Sequence, residues 1–369
     1  MPLTVAIDTG PLVGPRTGIG QFVTSLLEGL SRVADPPTLR PYVLSFRAAL
    51  PAGTRRLPYP ARLTLQAWGR SDRPSAGRSL RGADVVHGTN FVVPPAGLPS
   101  VITVHDCSLV THPTLVDPVV RLFVPVLRRA VARGAWVHTP SAYVAGQVRE
   151  VFGTDRVRAI HHGAPPAAQV DASMPTLPGL DGRPYVLAVG TREPRKNHAR
   201  LVEAFGLLHD EQPELALVLV GSPGPAQGAI DAAIASLSHD AASQVLITDW
   251  LPEQQRNAAL QRAEALAYPS LDEGFGLPML EAMRAGVPVV ASTAGALAEV
   301  AGDAALLVAP DDAAALADAL RVAITDSAER AALVERGHDR VGTFSWDETA
   351  RAMIELYQTV RADDRVRPR

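Results

Sequence analysis

Short runs that are almost wholly apolar recur along this chain, each followed by a loop and then by a helical stretch. They lie at residues 3–7, 83–88, 100–106, 136–141, 185–189, 215–220, 244–247 and 265–269. A strand with one wet face alternates apolar and polar residues. A run that is apolar throughout is covered on both faces, as in parallel sheets flanked by helices. The pattern therefore predicts an α/β chain with parallel strands, and 369 residues suffice for two domains of ordinary size. A Pro- and Gly-bearing stretch at 164–184 separates the two series of runs.

The richest junction follows the run at 265–269. Asp272-Glu273-Gly274-Phe275-Gly276-Leu277-Pro278-Met279-Leu280-Glu281 places two glycines around Phe275, where the backbone can turn tightly and approach a ligand. Pro278 suits the first position of a helix that continues through Met283 towards Gly286. Amides of Gly274, Phe275, Gly276 and Leu277 then point at one spot, with the positive end of the helix dipole behind them. That spot suits an anion or a polyhydroxyl group. Glu273 and Glu281 stand eight positions apart across the turn, so they do not share a helix face and have separate tasks.

A similar layout opens the chain. The run at 3–7 leads into a loop with Gly18 and Gly20, and a helix is expected from about Gln21. This is neither a P-loop nor a complete dinucleotide fingerprint, and a plain tight turn is the alternative reading. The runs ending in Gly88 and Asp106 each carry a histidine, His87 and His105, at the carboxyl edge where open α/β sheets bind ligands. A satisfied structural histidine is the competing reading for each. His161 and His162 have no carboxylate or cysteine at metal-ligand spacing and are assigned no metal.

Charge is divided unevenly. Residues 1–165 hold 18 arginines against 9 acidic residues, a net +9, and residues 166–369 carry −12. A basic half favours phosphates or an anionic surface. Of the 35 basic residues, 34 are arginine, and Lys196 is the sole lysine, within Gly190-Thr191-Arg192-Glu193-Pro194-Arg195-Lys196-Asn197. Cys107 is the only cysteine, which excludes an internal disulfide and fits a reducing compartment. The first residues lack the basic flank of a signal peptide, and no apolar run approaches a membrane span. A cytoplasmic protein is expected.

The string Glu-Gly-Phe-Gly-Leu-Pro with Glu281, continued by Val-Pro-Val-Val-Ala-Ser at 287–292 and Glu-Val-Ala-Gly-Asp at 299–303, resembles the E-x7-E motif of retaining GT-B-fold glycosyltransferases, the family of sucrose and glycogen synthases. Thr-Val-His-Asp at 103–106 is similar to its mannosyltransferase-like members. The likeness covers nearly the whole chain and is weakest over residues 40–80. It implies an α/β GT-B fold, with two Rossmann-like domains whose parallel sheets face each other across a cleft. The acceptor-side domain would span 1–168 and the nucleotide-sugar domain 180–346, with a C-terminal helix at about 347–363 packing back on the first.

The resemblance also implies roles. His105 contacts the transferred sugar, and Asp106 orients His105 or an acceptor hydroxyl. Gly18 and Gly20 allow the donor close approach. Lys196 and Arg195 hold the diphosphate, Glu273 the donor sugar, and Glu281 the ribose hydroxyls, while Trp250 and Leu251 line the base. No cofactor and no metal are expected, since the chain has no Asp-x-Asp motif. The partners implied are a GDP- or UDP-sugar, with GDP-mannose the leading candidate, and a glycan or lipid-linked acceptor, with no nucleic acid. Arg128 and Arg129, on a helix mixing arginines with large apolar residues, are the candidate contact with an anionic inner membrane face. Two departures stand out: Thr191 where relatives often carry arginine, and Ala298 within Gly295-Ala296-Leu297-Ala298-Glu299. The competing functions are a sugar-nucleotide epimerase of the same fold, or a sugar-binding homologue without catalysis.

Overall fold

The computed structural model describes residues 3–14, 18–113, 120–168, 170–171, 174, 177–180 and 182–363. The chain divides into two compact units: Met1–Gly163 with Phe344–Arg369, and Ala164–Thr343. Each is built on one all-parallel sheet.

In the first unit the strands are β1 (Thr4–Asp8), β2 (Thr38–Leu44), β3 (Arg55–Leu57), β4 (Val85–Gly88), β5 (Ser100–Thr103), β6 (Trp136–Thr139) and β7 (Val157–Ala159). Their order is β3-β2-β1-β4-β5-β6-β7. Neighbouring residues point to opposite faces, and both faces are dry. Val5, Ile7, Val85 and Val101 pack with Phe22, Leu26, Met353 and Tyr357, whereas Ala6, Val86 and Ile102 join Trp68, Leu127 and Val148. This is why the runs carry no polar alternation. The helix Trp346–Ala362 belongs to the first cluster. It crosses the helix Gly18–Arg32 at Gly29, where a Cβ would lie 2.8 Å from the Trp346 carbonyl oxygen.

The second unit contains β8 (Tyr185–Val189), β9 (Ala216–Val220), β10 (Val245–Thr248), β11 (Ala265–Tyr268), β12 (Val289–Ser292) and β13 (Leu306–Val308), ordered β10-β9-β8-β11-β12-β13. Val186, Ala188, Leu217 and Leu219 meet Leu201, Phe205 and Leu208 of the helix His198–His209.

Strand order locates the ligand positions. In an open α/β sheet, the crevice lies beyond the carboxyl ends of two neighbouring strands whose connections run in opposite directions. Here those pairs are β1/β4 and β8/β11.

Three expectations need correction. The stretch read as loops and short helices on the acceptor side holds the short helix Ala61–Trp68 but also strand β3, and the neighbouring strand β2 carried no recognised signal. Arg40 and Pro41 interrupt its apolar pattern, and pairing with the edge strand β3 begins only at Tyr42, one residue after Pro41. The first helix begins at Gly18, three residues before Gln21. The helix after the second glycine loop is Leu277–Arg284, so Pro278 takes its second position.

Candidate functional site

The loops leaving β8 and β11 are bound together. Asn197 adopts a left-handed conformation (φ 57°), and its amide donates to the carbonyls of Pro269 (3.1 Å) and Pro310 (2.7 Å). The Leu271 amide donates to the Arg195 carbonyl at 2.8 Å, and Arg195 Nη1 to the Asp272 carbonyl at 2.7 Å. The short turn Pro194–Lys196 is thereby held against the segment that precedes Gly274.

Three charged side chains meet at this junction. Glu273 accepts from Lys196 Nζ at 2.6 Å and from the Ser270 hydroxyl at 2.9 Å on Oε1, and it pairs with Arg195 Nη1 at 2.9 Å through Oε2. Lys196 also donates to the Tyr268 hydroxyl at 2.9 Å, and its ammonium lies 4.8 Å from the Tyr268 ring centroid. Burial alone would push the Glu273 carboxyl up, but Lys196 and then Arg195 overcome it and hold the carboxyl at about 2. Burial likewise opposes charge on Lys196, yet Glu273 keeps the ammonium well above the ordinary lysine range. The cluster is therefore fully ionised at neutral pH, two cations against one anion. An ammonium has three N–H donors. Two of those on Lys196 are engaged within the protein, which leaves one for a ligand oxygen.

The glycine loop is shaped from a second side. Gly276 (φ 104°) caps the helix Leu277–Arg284. Gly295 (φ 66°) lies so close that a Cβ would come within 2.4 Å of the Glu273 amide nitrogen, and the Ala296 amide donates to the Glu273 carbonyl at 2.8 Å. Gly295 supports Glu273 directly, and Ala298 leaves that support intact.

Glu281 belongs to a separate pair. Its carboxylate meets Arg256 Nη2 at 3.0 Å, from the helix Glu253–Gln261. Burial raises the Glu281 carboxyl, and Arg256 offsets this only in part. Trp250 and Leu251 follow β10, the edge strand two places from β8, and Trp250 is 61% exposed. In the loop that departs from the family pattern at Thr191, Arg192 turns inward and donates to the Thr248 carbonyl (3.1 Å) and Asp249 (3.0 Å).

In the first unit, the β1/β4 position gathers Asp8, Gly10, Thr89 and His105. The Thr89 hydroxyl donates to the Asp8 carbonyl at 2.9 Å, and His105 Nε2 lies 2.9 Å from the Thr89 carbonyl. A carbonyl only accepts, so Nε2 carries the hydrogen and Nδ1 presents a lone pair. Burial lowers the His105 imidazole to about 4, which keeps it neutral. Asp106 accepts from the amide and hydroxyl of Ser108, capping the following turn, and acts on His105 through its charge and not through a hydrogen bond. Among the described residues no atom lies within 4 Å of the Cβ position of Gly18, and at Gly20 a Cβ would stand 3.1 Å from the Pro11 carbonyl oxygen. Residues 15–17 of that loop lie outside the described residues.

The neighbouring histidines have a different character. His138 Nε2 lies 3.1 Å from the Ile160 carbonyl and must donate to it, so its Nδ1 accepts from the Thr103 hydroxyl (2.9 Å). Thr103 then accepts from His87 Nε2 (2.8 Å), and His87 Nδ1 accepts from the Tyr357 hydroxyl (2.7 Å). The whole line is buried. His87 is thus structural, whereas His105 keeps a lone pair in reserve.

Lys196, Arg195 and Glu273 are brought together, with Gly274–Leu277 adjoining. Glu281 stands apart with Arg256, and His105 with Asp106, Gly18 and Gly20 falls in the other unit. Sequence reasoning missed Tyr268, Ser270, Arg256, Thr89 and the supporting role of Gly295. Among the described residues, no three His, Cys, Asp or Glu side chains form a metal-binding group, and no helix is long and apolar enough to cross a membrane.

Residues 173–340 match the family model described as Glycosyl transferases group 1, and residues 17–168 match Glycosyltransferase Family 4. The chain is 26% identical over 392 residues to the O-antigen chain mannosyltransferase B of Escherichia coli, covering 96% of this chain and all of that protein. It is 32% identical over 216 residues to a phosphatidyl-myo-inositol mannosyltransferase of Mycolicibacterium smegmatis, 57% of this chain and 54% of that one. Sucrose-phosphate synthase from Thermosynechococcus elongatus superposes with a TM-score of 0.72 at 22% identity, covering 98% of this chain and 99% of the other, a likeness of fold.

Proposed function

Since this chain belongs to the GT-B-fold glycosyltransferases, in their mannosyltransferase-like subgroup, we propose that it transfers a hexose, mannose foremost, from a GDP- or UDP-sugar with retention of anomeric configuration. The acceptor is a glycan or a lipid-linked glycan of the cell envelope, met at the inner face of an anionic membrane. The observation that carries this reading is the ionised Lys196–Glu273–Arg195 cluster at the β8/β11 position.

Transfer breaks the bond between the anomeric carbon and the β-phosphate oxygen. The electron pair leaves with the nucleoside diphosphate, and the sugar gains oxocarbenium character. Negative charge grows on the leaving oxygen, so a cation fixed in advance favours the transition state over the ground state. Lys196 and Arg195 supply that charge. Glu273 fixes both cations and, through them, the position of the diphosphate. The acceptor hydroxyl attacks the same face of the sugar, its oxygen forming the new bond while its proton passes to the leaving phosphate. Glu281 binds the ribose hydroxyls beside the base carried by the Trp250–Leu251 segment. His105 Nδ1 accepts from a hydroxyl of the transferred sugar. No step in this scheme draws on a metal.

The test is to incubate the protein with GDP- and UDP-hexoses, with and without a lipid-linked glycan acceptor. The reading expects nucleoside diphosphate release that depends on acceptor, and an α-linked product from an α-linked donor. Epimerised sugar nucleotide without acceptor would point to an isomerase. Absence of turnover with every donor would reduce the chain to a sugar-binding protein.

A further inference from the structure

Residues 45–81 hold eight arginines and a single acidic residue, Asp72. That carboxylate is already claimed by Arg129 and Arg133, each at 2.9 Å from the helix Phe123–Ala132 and its end. Among the described residues, Arg47, Arg62, Arg70, Arg73, Arg78 and Arg81 are exposed, and their side chains make no ion pair or hydrogen bond. Arg62 also lies in the first turn of the helix Ala61–Trp68, which has no acidic residue there, so its charge faces the positive end of the helix dipole. So much unanswered like charge destabilises the isolated fold.

Two large apolar side chains of the same stretch are exposed: Phe46 at 59% and Leu63 at 65%. β2 and β3 are parallel and pair Leu44 with Leu57, so the chain leaves both strands at one edge of the sheet. Arg56 fastens the first exit to β3, donating to the carbonyls of Ser45 (3.1 Å) and Ala48 (2.6 Å). The second exit, through Pro58 and Tyr59, enters the helix whose first turn holds Arg62 and Leu63. The helix buries Thr64, Leu65 and Trp68 and leaves Arg62 and Leu63 outside.

We propose that Phe46, Arg47, Arg62 and Leu63 form the surface by which this protein docks on an anionic lipid bilayer. Exposed apolar groups flanked by unpaired guanidinium groups match an interface where acyl chains adjoin anionic headgroups. The inference rests on the membrane reading above and moves it from the helix Phe123–Ala132, where Arg129 pairs with Asp72 and Arg128 lies over the Phe152 ring at 5.4 Å.

The test is cosedimentation of the full chain with vesicles of equal parts phosphatidylglycerol and phosphatidylcholine, compared with phosphatidylcholine alone. Binding is expected only with the anionic lipid and is expected to weaken as salt rises, since exposed charges are screened over about 10 Å at 0.1 M. The pair Arg47→Glu with Arg62→Glu, and separately Phe46→Ser with Leu63→Ser, should each weaken binding at least about tenfold while melting temperature and turnover on a water-soluble acceptor stay unchanged. Arg128→Glu should bind as the parent does. Failure of the parent chain to bind overturns the membrane reading itself, while leaving glycosyl transfer untouched. Binding by the parent that both paired variants retain overturns this surface alone. Equal binding to uncharged vesicles also overturns it.

Discussion

Lys196 is confined on three sides. A Cβ on Gly190 would stand 3.1 Å from its Cε, and its ammonium reaches both Tyr268 and Glu273. A guanidinium is planar and broader, so it cannot occupy that gap and keep both contacts. Lys196→Arg is expected to preserve the melting temperature but to lower turnover at least about tenfold, because leaving-group charge is greatest in the transition state. Steady-state kinetics under saturating acceptor will decide, and wild-type values would mean that only positive charge matters. The importance of this residue was legible in the sequence, since one lysine among 34 arginines is conspicuous. Its partners were not. A tyrosine and a serine at the end of an apolar run look like packing until the fold turns them towards the same carboxylate. The same limit applied to the histidines. Pattern placed His87 and His105 alike at strand ends, and only hydrogen bonding distinguishes the buried, fully engaged His87 from His105 with its unengaged Nδ1.

Turns and helices hold the site at the next scale. The turn at Gly295 and Ala296 presses on the backbone of Glu273, and its glycine has φ 66°. Gly295→Ala adds a Cβ within 2.4 Å of a backbone atom that is not free to yield. Stability is expected to fall by about 1–3 kcal/mol, with a loss of turnover as Glu273 shifts. A thermal unfolding curve matching the parent would show that the turn adapts. The helices Glu253–Gln261 and Leu277–Arg284 meet through Arg256 and Glu281. Removing Arg256 leaves a buried carboxylate without its cation, so Glu281 should bind its proton at higher pH. Arg256→Ala is therefore expected to raise the donor KM more than it lowers kcat, most strongly towards acid pH. Equal effects on both constants at every pH would exclude this arrangement. The strand–loop–helix junction that carries Glu281 was legible from its glycines and Pro278. Arg256 was not, because nothing in a polar surface helix marks which arginine turns inward. β2 escaped notice for a related reason, since Arg40 and Pro41 break its apolar run and disguise a strand as a loop.

At the scale of the molecule, neutral buried histidines make the fold sensitive to acid. Burial lowers His87, His105, His138, His162 and His198, with His105 and His198 at about 4 and His138 at about 3. A depressed folded-state value means that the unfolded chain takes up protons first. Stability is then full above the ordinary histidine value near 6.5 and falls as pH drops through about 4. Asp8, raised by burial to about 7, and Glu281, also raised by burial, act in the opposite sense but are fewer. Urea unfolding should give a lower free energy at about pH 5 than at about pH 7.5. A flat profile would mean that these imidazoles are protonated without cost. The division into two parallel-sheet units was legible from the apolar runs; the order of strands, which fixes where their loops meet, was not. That order brings Lys196, Arg195 and Glu273 to one position beyond β8 and β11 and thereby gives the molecule its central claim, a preformed cationic seat for a departing diphosphate. The most direct test is nucleoside diphosphate release from the preferred sugar nucleotide by Lys196→Ala under saturating donor and acceptor. The expected result is a fall of about 100- to 1,000-fold with the fold retained, comparable to removal of one oxyanion donor. Turnover equal to that of the parent would contradict it.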